Sequence, residues 1–448
     1  MFMSSSMERF AHPLTVARQA RNWSQQVLAH KLRQQARKHS VNIATSKNTV
    51  YKWERGQCPD RITRRLLAEL FGIPWSLVED CAWPMWLPTG GLPGTSQPQT
   101  QDGAVDATSE VSEKAPVDRR NFAALTGTAL TTPVLAWMYN PEPFQAALDG
   151  RQVSLDVVEA IEDRTDYLRH LDDKAGGGEL LGMVAGDLRA CAHLLRNSHY
   201  SEGMGKRLFS VAAELCRTAG WLYFDNGRHA AAQACYFAAL RLAHVTADRA
   251  HGAIILAYLT LQATWLGNTR DALELSQAAQ NSSQHIALGK DAALAAMSAG
   301  YAHAHAGDGM ASSRAFTQAD RLLERDDDGQ LARTYWMDEG ELTRGMGQCL
   351  LMRGQAQQAK DHLERGISLL DPTYTRDRAE YLTLLATAHA QQQEPEQACQ
   401  IGSTVLGLLN GQVNSPRTND HIHALNHELE PYDVPYVREF TEQARQLL

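Results

Sequence analysis

The chain has 448 residues, of which 44% are apolar and 21% charged, and its formal net charge is −8 at pH 7. This composition excludes an intrinsically disordered chain, and the length is enough for two or more domains with sizeable cores. The charge is uneven, because residues 1–80 carry a net +7 and residues 81–448 a net −15. A basic N-terminal segment joined to an acidic remainder indicates a polyanion-binding module fused to a domain with another task.

The seven cysteines are scattered singly, without a Cys-x-x-Cys pair. An odd, unclustered set predicts reduced thiols and argues against a disulfide framework or a zinc site. Only 9 of the 43 basic residues are lysine, which indicates a GC-rich, bacterial coding sequence. The first nine residues are polar, so no secretion signal is expected, and we expect a cytoplasmic protein.

Five short helices are predicted in an N-terminal domain over residues 8–83. Apolar residues recur there at helical spacing, Ser24 is a suitable N-cap for the second helix, and Gly56 is a suitable C-cap for the third. The predicted helices cover residues 14–20, 24–32, 46–55, 59–71 and 73–80.

The third predicted helix has the side chains of a DNA-reading element. Val50 and Trp53 lie three residues apart and are expected to face the core, which leaves Lys47, Asn48 and Lys52 on the open faces. Lysine can donate to guanine or to phosphate, and asparagine can pair bidentately with adenine. The exposed side of this helix is therefore suited to contact base edges.

In this order, these parts resemble the helix-turn-helix domain of the Cro-like, xenobiotic-response-element (XRE) family of bacterial regulators. The matching residues are Ala17-Arg18, Ser24-Gln25, Leu28-Ala29, Thr49-Val50 and Trp53-Glu54-Arg55-Gly56. The resemblance implies that Gln25 holds a phosphate and that Arg18 pairs with Glu54. It also implies that the recognition helix and its ends contact DNA through Ser46, Lys47, Asn48, Thr49, Lys52 and Arg55.

The chain departs from this family between the second and third helices. Residues 33–45 separate Leu32 from the recognition helix, where the family has a short turn. We expect Arg33, Arg37 and Lys38 in this insertion to extend the contacts with phosphates. The alternative is a small helical bundle without a role in DNA binding.

Residues 84–118 are rich in Pro, Gly, Ser, Thr and Gln, which predicts a flexible linker. The following segment, 118–137, places twin arginines before an apolar run and so imitates an export signal. Thr, Gly and Pro133 interrupt that run, which is too short to span a membrane. We therefore expect a packed helix that opens the second domain, and no membrane insertion.

Residues 119–448 repeat a helix–turn–helix pattern of glycine, aromatic and alanine residues. Its turn positions are 40, 40, 47 and 39 residues apart, at Gly227, Gly267, Gly307, Gly354 and Gln393. A period of this size predicts an α-solenoid, and the pattern resembles the tetratricopeptide (TPR) repeat with a longer period. Helices near 154–174 and 179–197 are expected to cap the stack. The stretch 416–435 is expected to be irregular, and 437–448 to form a last helix.

The resemblance to TPR proteins implies that the first helix of each pair lines a concave inner surface. Six residues project onto that surface and form the predicted effector site: Arg217, Trp221, Trp265, Tyr301, His305 and Arg344. Aromatic walls with guanidinium groups suit an extended peptide or a small molecule that carries a carboxylate. The alternative is that Trp221 and Trp265 fill the core of the solenoid.

Catalytic chemistry is not indicated by the sequence. It contains no His-Glu-x-x-His, no phosphate-binding Gly-x-x-x-x-Gly-Lys-Ser/Thr, no Gly-x-Ser-x-Gly and no dinucleotide fingerprint. His421, His423 and His427 form a metal-like cluster, but the neighbouring prolines favour a solvated surface stretch. We expect no enzymatic activity, no cofactor and no metal.

Two classes of function remain. The first is an all-α transcriptional regulator, with an N-terminal helix-turn-helix domain, a flexible linker and a TPR-like α-solenoid that binds a peptide, small-molecule or protein effector. Such a regulator is expected to act as a homodimer on a pseudo-palindromic operator in double-stranded DNA. The second is a TPR interaction scaffold or antitoxin-like component with an auxiliary helix-turn-helix. The donor side chains at Gln25, Lys47, Asn48 and Lys52 favour the regulator.

Overall fold

The computed structural model is almost entirely helical over the residues that it describes. These are residues 13–19, 21, 23–39, 41–71, 73, 78, 83, 84, 86, 87, 100–113, 125–127, 130, 134, 137, 150–175, 180–283, 289–325, 333–410 and 415–448. Strands in these ranges are two residues long, β1 (Arg151–Gln152) and β2 (Ser198–His199), and they pair in parallel. The predicted all-α class is confirmed.

The chain divides into two compact units that alternate along the sequence. The first comprises Met1–Val158, Gly186–Arg217 and Gln233–Asp248, and the second comprises Glu159–Ala185, Thr218–Ala232 and Arg249–Leu448. Most of the predicted helix at 73–80 and most of the segment 118–137 lie outside the described residues, so these two predictions stay untested.

The N-terminal part of the first unit is a small helical domain. Its helices are α1 (Pro13–Gln19), α2 (Gln25–Lys38), α3 (Lys47–Trp53) and α4 (Arg61–Phe71). Helix α2 packs against both α3 and α4. The shared core consists of buried apolar residues from all four helices and from the segment after them: Leu14, Leu28, Leu32, Val50, Trp53, Leu67, Phe71, Trp86 and Leu87. Since Trp86 and Leu87 belong to this core, the domain extends beyond the predicted boundary at residue 83.

The insertion between the second and third helices is mostly helical. Helix α2 continues to Lys38 instead of ending near Leu32, and His39 closes its end by donating to the carbonyl of Ala36. The segment after Leu32 contains no glycine or proline, and Ala36 continues the buried stripe of Leu28 and Leu32. The connection to α3 is therefore shorter than the sequence reading implied.

The prediction of a flexible linker is wrong over its C-terminal part, where α5 spans Gln101–Glu113. Ala104, Thr108 and Val111 follow one another at helical spacing and are buried, so this short stretch does have an apolar face. Arg189 also donates to the backbone carbonyl of Ser112, at 3.2 Å, which fastens the end of the helix within the first unit.

Helices occupy most of the remaining described residues. They are α6 (Leu155–Ala175), α7 (Leu180–Asn197), α8 (Glu202–Asp225), α9 (His229–Val245), α10 (Arg249–Trp265), α11 (Thr269–Ser283), α12 (Gly289–His305), α13 (Gly309–Leu323), α14 (Glu339–Met352), α15 (Ala356–Leu369), α16 (Thr375–Gln391), α17 (Pro395–Leu409), α18 (Pro416–Leu429) and α19 (Pro435–Leu447). Within the described ranges, no helix is both long enough and apolar enough to cross a membrane.

From α10 onward, the second unit packs as a helical solenoid. Helix α10 contacts its hairpin partner α11 and the first helix of the next pair, α12, and the same relation repeats for α12, α14 and α16. Each pair thereby buries the apolar face that its neighbour leaves open, which is how repeat proteins build a continuous core.

The five predicted turn positions are confirmed by their backbone geometry. Gly227, Gly267, Gly307, Gly354 and Gln393 all have positive φ, between 62° and 79°. At Gly267 the turn is a Schellman motif, because its N–H donates to Thr264 and the N–H of Asn268 donates to Ala263. The left-handed residue thus ends one helix and reverses the chain into the next.

The stretch 416–435, expected to be irregular, is largely helical. Pro416 and Pro435 each stand in the first turn of a helix, α18 and α19, where the missing N–H of proline costs no hydrogen bond. Ser415 caps α18 by accepting from the N–H of Thr418 at 3.3 Å. The prolines therefore begin helices here instead of interrupting them.

Candidate nucleic-acid interface

The N-terminus of α3, the predicted recognition helix, is fixed by a capping box. The Ser46 hydroxyl accepts from the N–H of Thr49 at 3.3 Å, and the Thr49 hydroxyl accepts from the N–H of Ser46 at 3.2 Å. Two side chains predicted to contact DNA are thus engaged in holding the end of the helix. Their structural task defines where Lys47 and Asn48, the first two helical residues, are presented.

The inner side of α3 is locked to the rest of the domain. Val50 and Trp53 are buried, as predicted. The Arg18 Nε lies 2.5 Å from the Glu54 Oε1, so the predicted ion pair between α1 and the end of the recognition helix is confirmed. Arg18 also donates to the carbonyl of Trp23 at 3.0 Å, which ties the same guanidinium to the start of α2.

Gln25 also contacts Glu54 and so helps to hold α3 against the rest of the domain. Its amide nitrogen donates to Glu54 Oε2, and the residue is half-buried. Glu54 therefore accepts from two helices at once, through Arg18 and through Gln25. The predicted contact of Gln25 with phosphate stays untested, and its donor is engaged within the domain in this structure.

The outer side of α3 presents polar and cationic groups. Lys47, Asn48 and Lys52 are exposed, and none of the three has a side-chain hydrogen bond or ion pair with the described residues. Tyr51, between them, is about half exposed, and Arg55 donates to its hydroxyl at 3.2 Å while its guanidinium lies 5.6 Å from the ring centre. The Tyr51–Arg55 pair was not foreseen, although the spacing of four residues on a helix would have indicated it.

The cations at the end of α2 lie in two different environments. Arg37 and Lys38 are exposed, and Lys38 donates to Gln35 at 3.3 Å. Arg33 instead turns inward and donates to the backbone carbonyl of Thr45, just before the recognition helix. The inserted segment thus supplies a clamp for the connection as well as surface charge.

The six predicted effector residues lie on the first helices of four successive pairs, α8, α10, α12 and α14. Arg217 belongs to the first unit, where it is buried and its guanidinium donates to Glu214 at 2.6 Å. The other five belong to the second unit. There Tyr301 and Arg344 meet, since a guanidinium N–H donates to the tyrosine hydroxyl at 2.9 Å. His305, one turn after Tyr301 on α12, shares a hydrogen bond of 2.8 Å with Thr269.

Arg344 is already saturated by protein acceptors. Its Nε donates to Glu341 at 2.9 Å and its Nη1 to Gln348 at 2.7 Å, and the residue is buried. Glu341 also accepts from the Tyr381 hydroxyl at 2.9 Å. A ligand carboxylate would have to displace Glu341 from this guanidinium.

Trp221 and Trp265 lie in one aromatic group of the second unit. The Phe224 ring is 5.6 Å from that of Trp221 and 6.1 Å from that of Trp265, and the Trp265 ring is 5.1 Å from that of His421. Trp221, Trp265 and His421 are half-buried. These three side chains are thus neither fully buried in the core nor fully exposed to solvent.

Sequence reasoning missed a group of buried and half-buried charges beside these rings, which we call the inner charged cluster: Asp172, Asp225, Arg376, Asp377, Glu380 and Arg417. Arg376 donates to Asp172 at 2.7 Å, and Arg417 donates to Asp225 at 3.0 Å and to Glu380 at 2.6 Å. Arg376 and Glu380 lie four residues apart on α16, and this helical spacing was the available signal.

Electrostatics differ among the carboxylates of this cluster. Burial raises the pKa of Asp172 to about 6, against the attraction of Arg376 and together with the repulsion of Asp225. Burial acts in the same direction on Glu380, but Arg417 and Arg344 outweigh it and hold the pKa of that carboxyl at about 2. Glu380 is thus well compensated, whereas Asp172 is not.

Metal ligation finds no support in the described ranges, which contain no group of three or more histidine, cysteine or acidic side chains able to hold an ion. His423 and His427 are exposed, while burial lowers the pKa of His421 to about 4. The three histidines of the sequence cluster therefore occupy different environments.

Comparison with known proteins gives limited similarity. Residues 14–73, which span α1 to α4, match the family model of the SP15 N-terminal domain. No curated protein matches the chain. The crystal structure of BtubC (BKLC) from P. vanneervenii is similar over 59% of this chain and 96% of that chain, with 14% sequence identity and a TM-score of 0.35.

Proposed function

We propose that the protein is a cytoplasmic, sequence-specific DNA-binding transcriptional regulator of the XRE type. The observation that carries the proposal is the outer side of α3, where Lys47, Asn48 and Lys52 are exposed on a helix whose inner side is locked by Glu54. A rigid helix that presents one amide and two ammonium groups has the donors needed for guanine, adenine and phosphate.

Charge supports the same proposal. The net +7 of residues 1–80 contrasts with the net −15 of the remainder, so DNA is attracted to the N-terminal domain and repelled by the rest. Arg37 and Lys38, exposed at the end of α2, add cations for the phosphate backbone. We assign them to non-specific affinity and Asn48 to base selection.

We further propose that the TPR-like solenoid serves as the regulatory part, which binds an effector and brings two chains together. One recognition helix contacts only a few base pairs, so two N-terminal domains on a pseudo-palindromic operator are needed to discriminate the operator from other DNA. A solenoid buries one helix pair against the next and leaves an extended surface, on which such regulation would depend.

The test is selection of DNA fragments from the source genome by the full-length chain at moderate salt, followed by sequencing. We expect enrichment of a short palindromic motif, and loss of base preference at one position of each half-site when Asn48→Ala is used. Gln443→Ala, which removes an exposed amide from α19, is the matched control and should retain the wild-type motif. Recovery of fragments without a common motif would contradict the proposal.

The alternative is an interaction scaffold or antitoxin-like component with an auxiliary helix-turn-helix. It is favoured by the Gln25 amide, which donates to Glu54, and by the Ser46 and Thr49 hydroxyls, which accept from backbone N–H groups inside the domain. Under this alternative the Lys47, Asn48 and Lys52 side chains contribute nothing beyond charge. The fragment selection separates the two functions, because a scaffold gives the same result for wild type and Asn48→Ala.

A further inference from the structure

Two carboxylate oxygens in the inner charged cluster are buried without a hydrogen-bond donor among the described residues. They are Oδ1 of Asp172 and Oδ2 of Asp225. Asp225 is completely buried and Asp172 is 4% exposed. A buried acceptor that carries part of a negative charge is costly when it is left unsatisfied, so these two oxygens call for a donor.

The other oxygen of each carboxylate accepts two hydrogen bonds, which hold the carboxylate in place. Asp172 Oδ2 accepts from Arg376 at 2.7 Å and from the indole N–H of Trp221 at 3.0 Å. Asp225 Oδ1 accepts from Arg417 at 3.0 Å and from the Ser415 hydroxyl at 3.1 Å. Both carboxylates are thus held in place, and each retains one oxygen without a donor among the described residues.

The cluster is also short of positive charge. It contains four carboxylates and two guanidinium groups, and the nearby Arg344, 3.6 Å from Glu380, is itself paired with Glu341. Burial raises the pKa of Asp172 against the attraction of Arg376 and together with the repulsion of Asp225, as expected for a carboxylate whose charge is incompletely compensated.

An aromatic group adjoins the cluster through Trp221, whose indole N–H donates to Asp172. Trp221 is covered by the guanidinium groups of Arg376 and Arg417, which lie 5.6 and 5.1 Å from its ring centre. Trp265 and His421 are half-buried, and their ring centres are 5.1 Å apart. His421 is neutral at physiological pH, and its Nδ1 makes no hydrogen bond to a described residue.

We propose that the inner charged cluster is a binding site for a small organic cation with a primary ammonium group and an apolar body. The ammonium would donate to Asp172 Oδ1 and Asp225 Oδ2, and the apolar body would lie against Trp265 and His421. An ammonium carries three donors and no acceptor, which matches two open acceptors in a negatively charged environment. This identifies the effector class of the proposed regulator, so its regulatory meaning rests on the proposed function.

A carboxylate ligand, the class expected from the sequence, fits this cluster poorly. Each guanidinium that could grip it is already engaged with a carboxylate: Arg344 with Glu341, Arg376 with Asp172 and Arg417 with Asp225. A second carboxylate would add to an existing excess of negative charge. The arrangement therefore selects the opposite charge.

The experiment measures binding of three probes to the full-length protein without DNA, by isothermal titration calorimetry and tryptophan fluorescence. The probes are 2-phenylethylammonium, its N,N,N-trimethyl derivative and phenylacetate. We expect saturable binding of 2-phenylethylammonium, about tenfold or more weaker binding of the derivative without N–H donors, and no binding of phenylacetate. Equal or stronger binding of phenylacetate, or no saturable binding of the primary amine, would overturn the inference.

Variants locate the site. Asp225→Asn and Asp172→Asn should each weaken the primary amine about tenfold or more, and Glu396→Gln, which neutralises an exposed carboxylate on α17, should leave its affinity unchanged. Circular dichroism establishes that each variant is folded, and the three-probe comparison on the wild type holds even when one variant is not. Saturable binding that both aspartate variants retain in full would place the amine elsewhere and refute the site.

A second measurement separates the site from the proposed function. The affinity of the full-length protein for its selected DNA motif is compared with and without 2-phenylethylammonium. A change that Asp225→Asn abolishes supports the site as the effector site. Binding of the amine without any effect on DNA refutes the effector role alone, and amine binding in a protein that selects no DNA motif refutes the proposed function while the cation site stands.

Discussion

Glu54 is the residue whose change should have the largest effect on the recognition helix. It accepts from Arg18 and from Gln25, and the Arg18 and Glu54 side chains are 12% and 7% exposed. Glu54→Gln keeps the size of the side chain but leaves the Arg18 guanidinium without its charge partner. Breaking a fully buried pair costs about 3–5 kcal/mol, so we expect about 2–4 kcal/mol for this nearly buried one.

The assay is a double-mutant cycle with Arg18→Met and Glu54→Gln, read by native-state hydrogen exchange of the α3 amides in the full-length chain. Since the two residues contact each other, the double variant should lose less than the sum of the single losses, by about 1–3 kcal/mol. Arg65 and Glu69 in α4 provide the control pair, because they are 3.6 Å apart and 66% and 30% exposed. Their coupling should lie within about 0.5 kcal/mol of zero. A coupling free energy between Arg18 and Glu54 that is no larger than in this control would show that their ion pair does not hold α3 in place.

Three further predictions concern base selection, the repeat turns and pH. Asn48→Ala should cost about 1–3 kcal/mol of binding free energy at the operator and relax the base preference at one position. Arg37→Ala should instead weaken binding to all DNA sequences alike and reduce the slope of log affinity against log salt concentration by about one. Equal effects of both variants on specific and random DNA would contradict this division. Gly267→Ala should lower the free energy of unfolding by about 1–2 kcal/mol, because its φ of +75° is unfavourable for alanine even though no atom lies within 4 Å of the added Cβ. Gln393→Gly (φ +62°) should leave the free energy of unfolding unchanged or raise it. The opposite order in urea unfolding would show that backbone strain does not decide the stability of these turns. Asp172 faces Arg376 and Asp225 on other helices and Asp173 on its own helix. Its pKa is raised in the folded state, which therefore binds the proton more tightly than the unfolded state, so the free energy of unfolding should fall by about 3 kcal/mol as pH rises from about 4 to 6. Asp172→Asn should remove this decrease, and parallel pH profiles of stability for the two proteins would contradict the assignment.

Local signals in the sequence predicted local structure well. The turn glycines and Gln393 were found from spacing alone, because a left-handed residue at the end of a helix is a property of a few neighbouring residues. The Arg18–Glu54 pair followed from the family resemblance. Helix α5 was missed because glycine and serine near it dominated the composition, although Ala104, Thr108 and Val111 formed a face.

The inner charged cluster was not predicted from the sequence, for a physical reason. Asp172 and Arg376 are 204 residues apart in the sequence, and no periodicity relates them. Projecting a repeat pattern placed Arg344 on an inner surface but could not show that Glu341, three residues earlier, already holds its guanidinium. Which charges remain unsatisfied depends on partners from distant helices, and sequence patterns carry no information on that.

The same long-range pair gives the second unit a property that most repeat proteins lack. An array held by nearest-neighbour contacts can unravel from either end, one repeat at a time. The contacts of α6 with α16, through Asp172 and Arg376, and of α8 with α18, through Asp225 and Arg417, tie early helices to late ones. The closure of so long a loop is entropically demanding and slows folding. Once it is made, the early helices share the stability of the late ones, so the unit should open as a single cooperative body instead of fraying.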